Sequence, residues 1–253
     1  MFTQYIALGD SMSIDLYPAL DAGEADVAVA LEWDARAGTV APLGAASLLH
    51  RNVDDRYPEF AGNDLLSRYP EISFVNAAED GATIGDVFGT QLTQVAESED
   101  RTLLTLSVGG NDLLSAFAGN PVPALLREVV RDIGDAYEFL VESLRRARPN
   151  SLLLLTTVYD PSDDTRKIPG VFDGAGQLPL ESLAALNDRI RAFAREQPNT
   201  VVADVYRHFL GHGVTAPETD RWYWKRSWIE PNAEGASEIR RTWLDALDDV
   251  TEN

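Results

Sequence analysis

Five short apolar runs, separated by stretches of helical periodicity, constrain this chain more than any other feature of its sequence. They fall at 5–8, 72–76, 102–108, 151–158 and 200–206. Each is nearly continuous in apolar character rather than alternating, the pattern of strands covered on both faces. Helical patterns follow at 84–96, 122–147, 180–196 and 233–248. A strand–helix alternation joined by right-handed crossovers builds a three-layer α/β/α sandwich. The expected sheet is flavodoxin-like: five parallel strands in the order 2-1-3-4-5, with the ligand site at the carboxyl edge near strand 1.

No repeat and no Ser/Gly-rich linker divides the chain, so one domain over 1–253 is the economical reading. Three connections are longer than the fold needs: 12–71, with a short helix expected near 44–49, then 160–179 and 211–228. All three leave strand carboxyl ends and are expected to rim one crevice.

Composition removes several function classes. A formal net charge of −20 argues against nucleic acid, whose phosphates demand a basic footprint. Lys167 and Lys225 are the only lysines, and an acidic, lysine-poor surface suits either a salt-rich cytoplasm or plain solubility. No stretch approaches the roughly 20 apolar residues of a membrane span. Strand-like residues begin at Phe2 with no leader pattern before them, so the expected location is cytoplasmic. The absence of cysteine excludes disulfides, thiol nucleophiles and thiolate metal sites. No His/Asp cluster has metal-ligand spacing, so neither metal nor cofactor is expected.

The first run ends in Gly9-Asp10-Ser11, which puts a serine just past a strand end, where open α/β sheets process ligands. The second runs into Asn76-Ala77-Ala78-Glu79-Asp80-Gly81, and the third into Gly109-Gly110-Asn111-Asp112. A serine, a glycine amide and an asparagine side chain on one edge make a nucleophile with an oxyanion hole, the set that stabilises charge developing on a carbonyl oxygen. Asp10 reads as a loop-fixing residue that accepts backbone hydrogen bonds.

These blocks, in this order, resemble the GDSL, or SGNH, hydrolase superfamily along essentially the whole chain. The resemblance implies Ser11 as nucleophile and an oxyanion hole of the Ser11 amide, the Gly81 amide and the Asn111 side chain. It also implies cleavage of a small-molecule carboxylic ester through an acyl-enzyme. The family's last block, Asp-x-x-His-Pro, departs here: Ser227 and Glu230 stand at the aspartate and histidine positions, ahead of Pro231.

The base is therefore open at this level. Glu230 is one candidate, although a carboxylate needs burial, here against Trp228 and its neighbours, to become basic enough. His212, in a Gly-His-Gly turn ahead of the last helix, is the other. His50 and His208 read as structural. A third reading makes Glu230 a helix-start residue in a non-catalytic ligand-binding relative, and an acyltransferase shares every feature of the hydrolase. Asp15, Tyr17 and Trp228 are the candidates for substrate contact, and Trp222-Tyr223-Trp224 reads as a lid packed on the core.

Overall fold

The structure is a computed structural model that describes residues 1–25, 40–119, 123–171 and 177–251. The stretch 26–39 of the first connection, the start of the expected helix at 122 and residues 172–176 lie outside the described residues. Five strands, β1 (Gln4–Gly9), β2 (Ser73–Asn76), β3 (Thr102–Ser107), β4 (Leu152–Thr156) and β5 (Thr200–Ala203), form one sheet in the order β2-β1-β3-β4-β5. Every pairing in it is parallel, and β1 and β3 run in register from Gln4–Thr102 to Gly9–Ser107.

The continuous apolar runs follow from helices on both sheet faces. Ile6, Leu8, Leu104, Leu106, Leu153 and Leu155 pack against Leu140 and Leu144 of the helix Pro123–Ala147, and against Leu186 and Ile190 of the helix Leu180–Glu196. The alternate residues Tyr5, Ala7, Leu103, Leu152 and Leu154 face the helix Ala45–His50 and the last helix, Ala233–Thr251. Trp243 of that helix is fully buried and still satisfies its indole N–H, which donates to Thr156 Oγ1 at 2.9 Å.

Several elements differ from the sequence expectation. The helix expected at 84–96 is built in three pieces: an α-turn at Ile84–Asp86, a π-turn at Val87–Gln91 and a 3₁₀ turn at Leu92–Gln94. A capping box between Thr83 and Asp86 starts it. The helix Gly110–Gly119 was not expected, because its polar start read as a turn. The fifth strand stops at Ala203, where the Asp204 side chain accepts from Arg207 N and opens the helix Val205–Phe209. Beyond β4, Val158 leaves the sheet and is held instead by Asn187. That side chain accepts from Val158 N and donates to Val158 O, each at 2.8 Å.

The segment expected as a lid contains a small antiparallel pair, β6 (Tyr223–Trp224) and β7 (Ser227–Pro231). Tyr223 and Trp224 are buried, so the segment does pack on the core. Asn232 turns β7 into the last helix: its Nδ2 donates to Arg221 O at 2.7 Å, and its Oδ1 accepts from Gly235 N at 2.7 Å. No helix among the described residues is long and apolar enough to cross a membrane.

Candidate active site

The site begins with the turn after β1. Gly9 has φ of +126°, and a Cβ there would meet Ser107 O at 1.9 Å, so only glycine lets β1 run this close to β3 and turn. Asp10 N then donates to Ser107 O at 2.8 Å, and the Asp10 carboxylate accepts from Met12 N at 3.1 Å. The loop is closed by its own aspartate, and Ser11 is left at its apex, buried. Burial, reinforced by the charges of Asp112 and Asp80, pushes the Asp10 carboxyl up to about 7.

The loops after β2 and β3 are tied to each other. Asn111 Nδ2 donates to Ala82 O at 3.0 Å, and the Asp112 carboxylate accepts from Ile84 N at 3.1 Å. These bonds hold the Gly81 segment against the first turn of the helix Gly110–Gly119. The backbone amides of Ser11 and Gly81 donate to no acceptor among the described residues. Gly81 is exposed, with φ of +70°.

Glu230 arrives from β7, which is held by the Tyr159 hydroxyl donating to Ile229 O at 2.6 Å. Its side chain is buried, and Oε2 has no hydrogen-bond partner among the described residues. Burial pushes the Glu230 carboxyl up to about 8; the nearby Ser11 hydroxyl pulls it down, and the charges of Asp80 and Asp10 push it up. Such a carboxyl is a far stronger proton acceptor than an exposed one, and it keeps a substantial ionised fraction just above neutrality.

Asp10, Ser11, Asn111 and Glu230 line one cavity of about 100 Å³. Most of the remaining wall is hydrocarbon: Leu113, Leu114 and Phe117 from the helix Gly110–Gly119, Ile168 from the loop after β4, and Leu180 and Leu183 from the helix Leu180–Glu196. Sequence reasoning missed this wall. The Leu113, Leu114, Phe117 spacing, one apolar helical face directly after the Gly-Gly-Asn-Asp turn, was the signal that could have found it.

None of the three histidines lines the cavity, and neither does Gly81. His212 stacks on Trp222 with ring centroids 3.4 Å apart, and its Nδ1 bonds Asp220 O at 2.8 Å. His208 Nε2 is 2.6 Å from Glu238 Oε2, and His50 stacks on Phe74. Asp15 is a staple, accepting from Gly44 N at 2.8 Å and from Ser47 Oγ at 3.0 Å. The Tyr17 hydroxyl donates to Asp80 Oδ2 at 2.9 Å, and Trp228 lies under the Arg221 guanidinium at 5.0 Å. Asp15, Tyr17 and Trp228 are absent from the cavity lining. Among the described residues, no group of three or more His, Asp or Glu side chains could hold a metal ion.

A five-stranded parallel sheet in the order 2-1-3-4-5, flanked by helices, is the SGNH-hydrolase fold. The chain belongs to the GDSL-like lipase/acylhydrolase family, whose profile matches residues 7–237. Similar solved structures include a phospholipase A1 from Streptomyces albidoflavus, with 20% identity, TM-score 0.59 and coverage of 98% of this chain and 99% of that one. An extracellular lipase from Streptomyces rimosus matches at 19% identity and TM-score 0.54, over 98% and 99% of the two chains. An acetylxylan esterase from Geobacillus stearothermophilus matches at 15% identity and TM-score 0.58, over 97% and 94%. No curated protein sequence matches the chain.

Proposed function

We propose that the protein hydrolyses carboxylic esters, with Ser11 as nucleophile and the Glu230 carboxylate, in place of a histidine, as its base. The observation that carries this reading is the buried Glu230 carboxyl beside the Ser11 hydroxyl, raised to about 8 within the cavity that Asn111 also lines. The Ser11 Oγ–H bond breaks as Oγ attacks the ester carbonyl carbon, and the proton passes to Glu230. The carbonyl electrons move to oxygen, where the Ser11 and Gly81 amides and the Asn111 side chain receive them. Asn111 has two amide hydrogens and commits one to Ala82 O, which leaves one for this oxyanion. Collapse expels the alkoxide, which takes the proton from Glu230. Water then gives a proton to Glu230 and attacks the acyl carbon; the Oγ–C bond breaks, releasing the acid, and Ser11 Oγ takes that proton back from Glu230.

Family membership and the unpartnered Ser11 and Gly81 amides support the same reading. The cavity position of Glu230, against the Trp222 stacking of His212, favours the carboxylate as base. The test is labelling with a serine-directed fluorophosphonate, together with turnover of an aryl butyrate by Ser11→Ala and Glu230→Gln. The expected result is Ser11 labelling and loss of turnover in both variants. Labelling at another residue, or full turnover by either variant, would overturn the assignment.

A further inference from the structure

The hydrocarbon wall of the cavity has a meaning that depends on, and extends, the hydrolase reading. Leu113, Leu114, Leu180 and Leu183 are only half-buried, yet all four face the same cavity as Ser11. Two helices thus leave apolar surface uncovered at one place, where an apolar ligand group would gain from covering it. Polar groups that could recognise a sugar are scarce there. The Asp160 carboxylate is already committed to the amides of Ser162 and Asp164, at 2.9 Å each, and Asp10 to that of Met12.

We infer that this wall binds the acyl chain of the substrate, making the preferred substrates esters of acids about four to six carbons long rather than acetylated sugars. Volume sets the length: the cavity is about 100 Å³, against the ~150 Å³ apolar cavity that accepts benzene in another protein. The acyl group, not the alcohol, belongs there because it stays bound through both half-reactions. The alcohol must leave before water can enter.

The experiment has two arms. In the first, kcat/KM is measured for p-nitrophenyl acetate, butyrate, hexanoate and decanoate, and separately for methyl hexanoate and hexyl acetate. Burying each added methylene should raise kcat/KM about fourfold. Butyrate should therefore exceed acetate by about 15-fold, with no further gain beyond hexanoate. Methyl hexanoate should exceed hexyl acetate. Leu183→Trp, which fills the cavity, should lower the hexanoate-to-acetate ratio by at least about tenfold, and Leu114→Trp should do the same.

In the second arm, binding of methyl hexanoate and methyl acetate to Ser11→Ala is measured by calorimetry, which needs no turnover. Hexanoate should bind more tightly, and Leu183→Trp in the same background should abolish the difference. Absence of turnover with selective hexanoate binding would sink the hydrolase reading and leave the cavity assignment standing. Acetate preference, hexyl acetate preference or equal binding of the two methyl esters would overturn the cavity assignment alone.

Discussion

Gln91 grips Gly9 from both sides: its side-chain carbonyl accepts from Gly9 N and its side-chain amide donates to Gly9 O, each at 2.8 Å. The two residues are 82 positions apart, and Gln91 is fully buried. The π-turn at Val87–Gln91 carries this side chain to the strand end, and such turns are frequent at functional sites. Gln91→Met keeps the volume and leaves Gly9 N without this acceptor, at a cost of about 1–3 kcal/mol when buried, while Gly9 O still accepts from Glu79 N at 3.0 Å. The urea midpoint should fall accordingly, and ester turnover should drop further than occupancy of the folded state explains, because the Ser11 turn loses its reference. Turnover tracking the folded fraction alone would show that the grip serves stability only.

The pH profile should report Glu230. A base that ionises at about 8 is largely protonated at pH 6, so kcat/KM should rise about tenfold per pH unit below that value and level off above it. Stopped assays with a pH-stable ester, from pH 5 to 10, measure this. A plateau already reached by pH 5 would rule out a carboxyl with this environment as the base.

Stability should show the opposite slope. Glu230 ionises near 4.5 when unfolded and at about 8 when folded, so the unfolded state binds fewer protons between those values. Its contribution is fully present below pH about 4.5 and declines as pH rises to about 8, a loss of a few kcal/mol. Glu230→Gln should therefore be more stable than wild type at pH 9, with the difference vanishing by pH 4. Thermal denaturation at the two pH values decides the point, and equal melting temperatures at pH 9 would contradict the burial argument.

Asn111→Ala should lower kcat by about 10²–10³, the usual effect of deleting one oxyanion donor. The lost bond to Ala82 adds a modest stability cost of about 1 kcal/mol. KM for the same ester should change much less than kcat, since the donor acts on charge that develops during reaction. A purely architectural Asn111 would instead lower stability and leave kcat of the folded enzyme intact.

His212→Ala separates the two base candidates. Its ring is engaged by Trp222 and Asp220, so its removal should disturb that loop while turnover and pH profile stay within about threefold of wild type. Loss of turnover with an unchanged melting temperature would transfer the base role to His212.

Much of the architecture was legible because a few local rules leave little choice. A glycine at 9 and a Gly-Gly pair at 109–110 mark turns too tight for side chains, and apolar runs mark covered strands. Glu230 could be placed by its Pro-Asn-Ala-Glu-Gly context, but burial of its carboxyl depends on Tyr159 holding β7 from another part of the chain. His212 looked equally near because sequence distance carries no direction; only the stacking on Trp222 shows where it goes. The Gln91 grip was invisible for the same reason, while the wall was half legible: the Leu113, Leu114, Phe117 spacing marks one apolar face, and only the fold brings Leu180 and Leu183 to it.

Asn187 at Val158 and Gln91 at Gly9 are the same device used at two strand ends, a side-chain amide standing in for a missing neighbouring strand. A primary amide neither gains nor loses a proton in the range where Asp10 and Glu230 do. These two clamps are therefore deaf to pH, while the Asp10 carboxyl that closes the Ser11 turn and the Glu230 carboxyl are not. Evolution or design can retune the working pH of such a scaffold at Glu230 without touching the amides that hold the two strand ends.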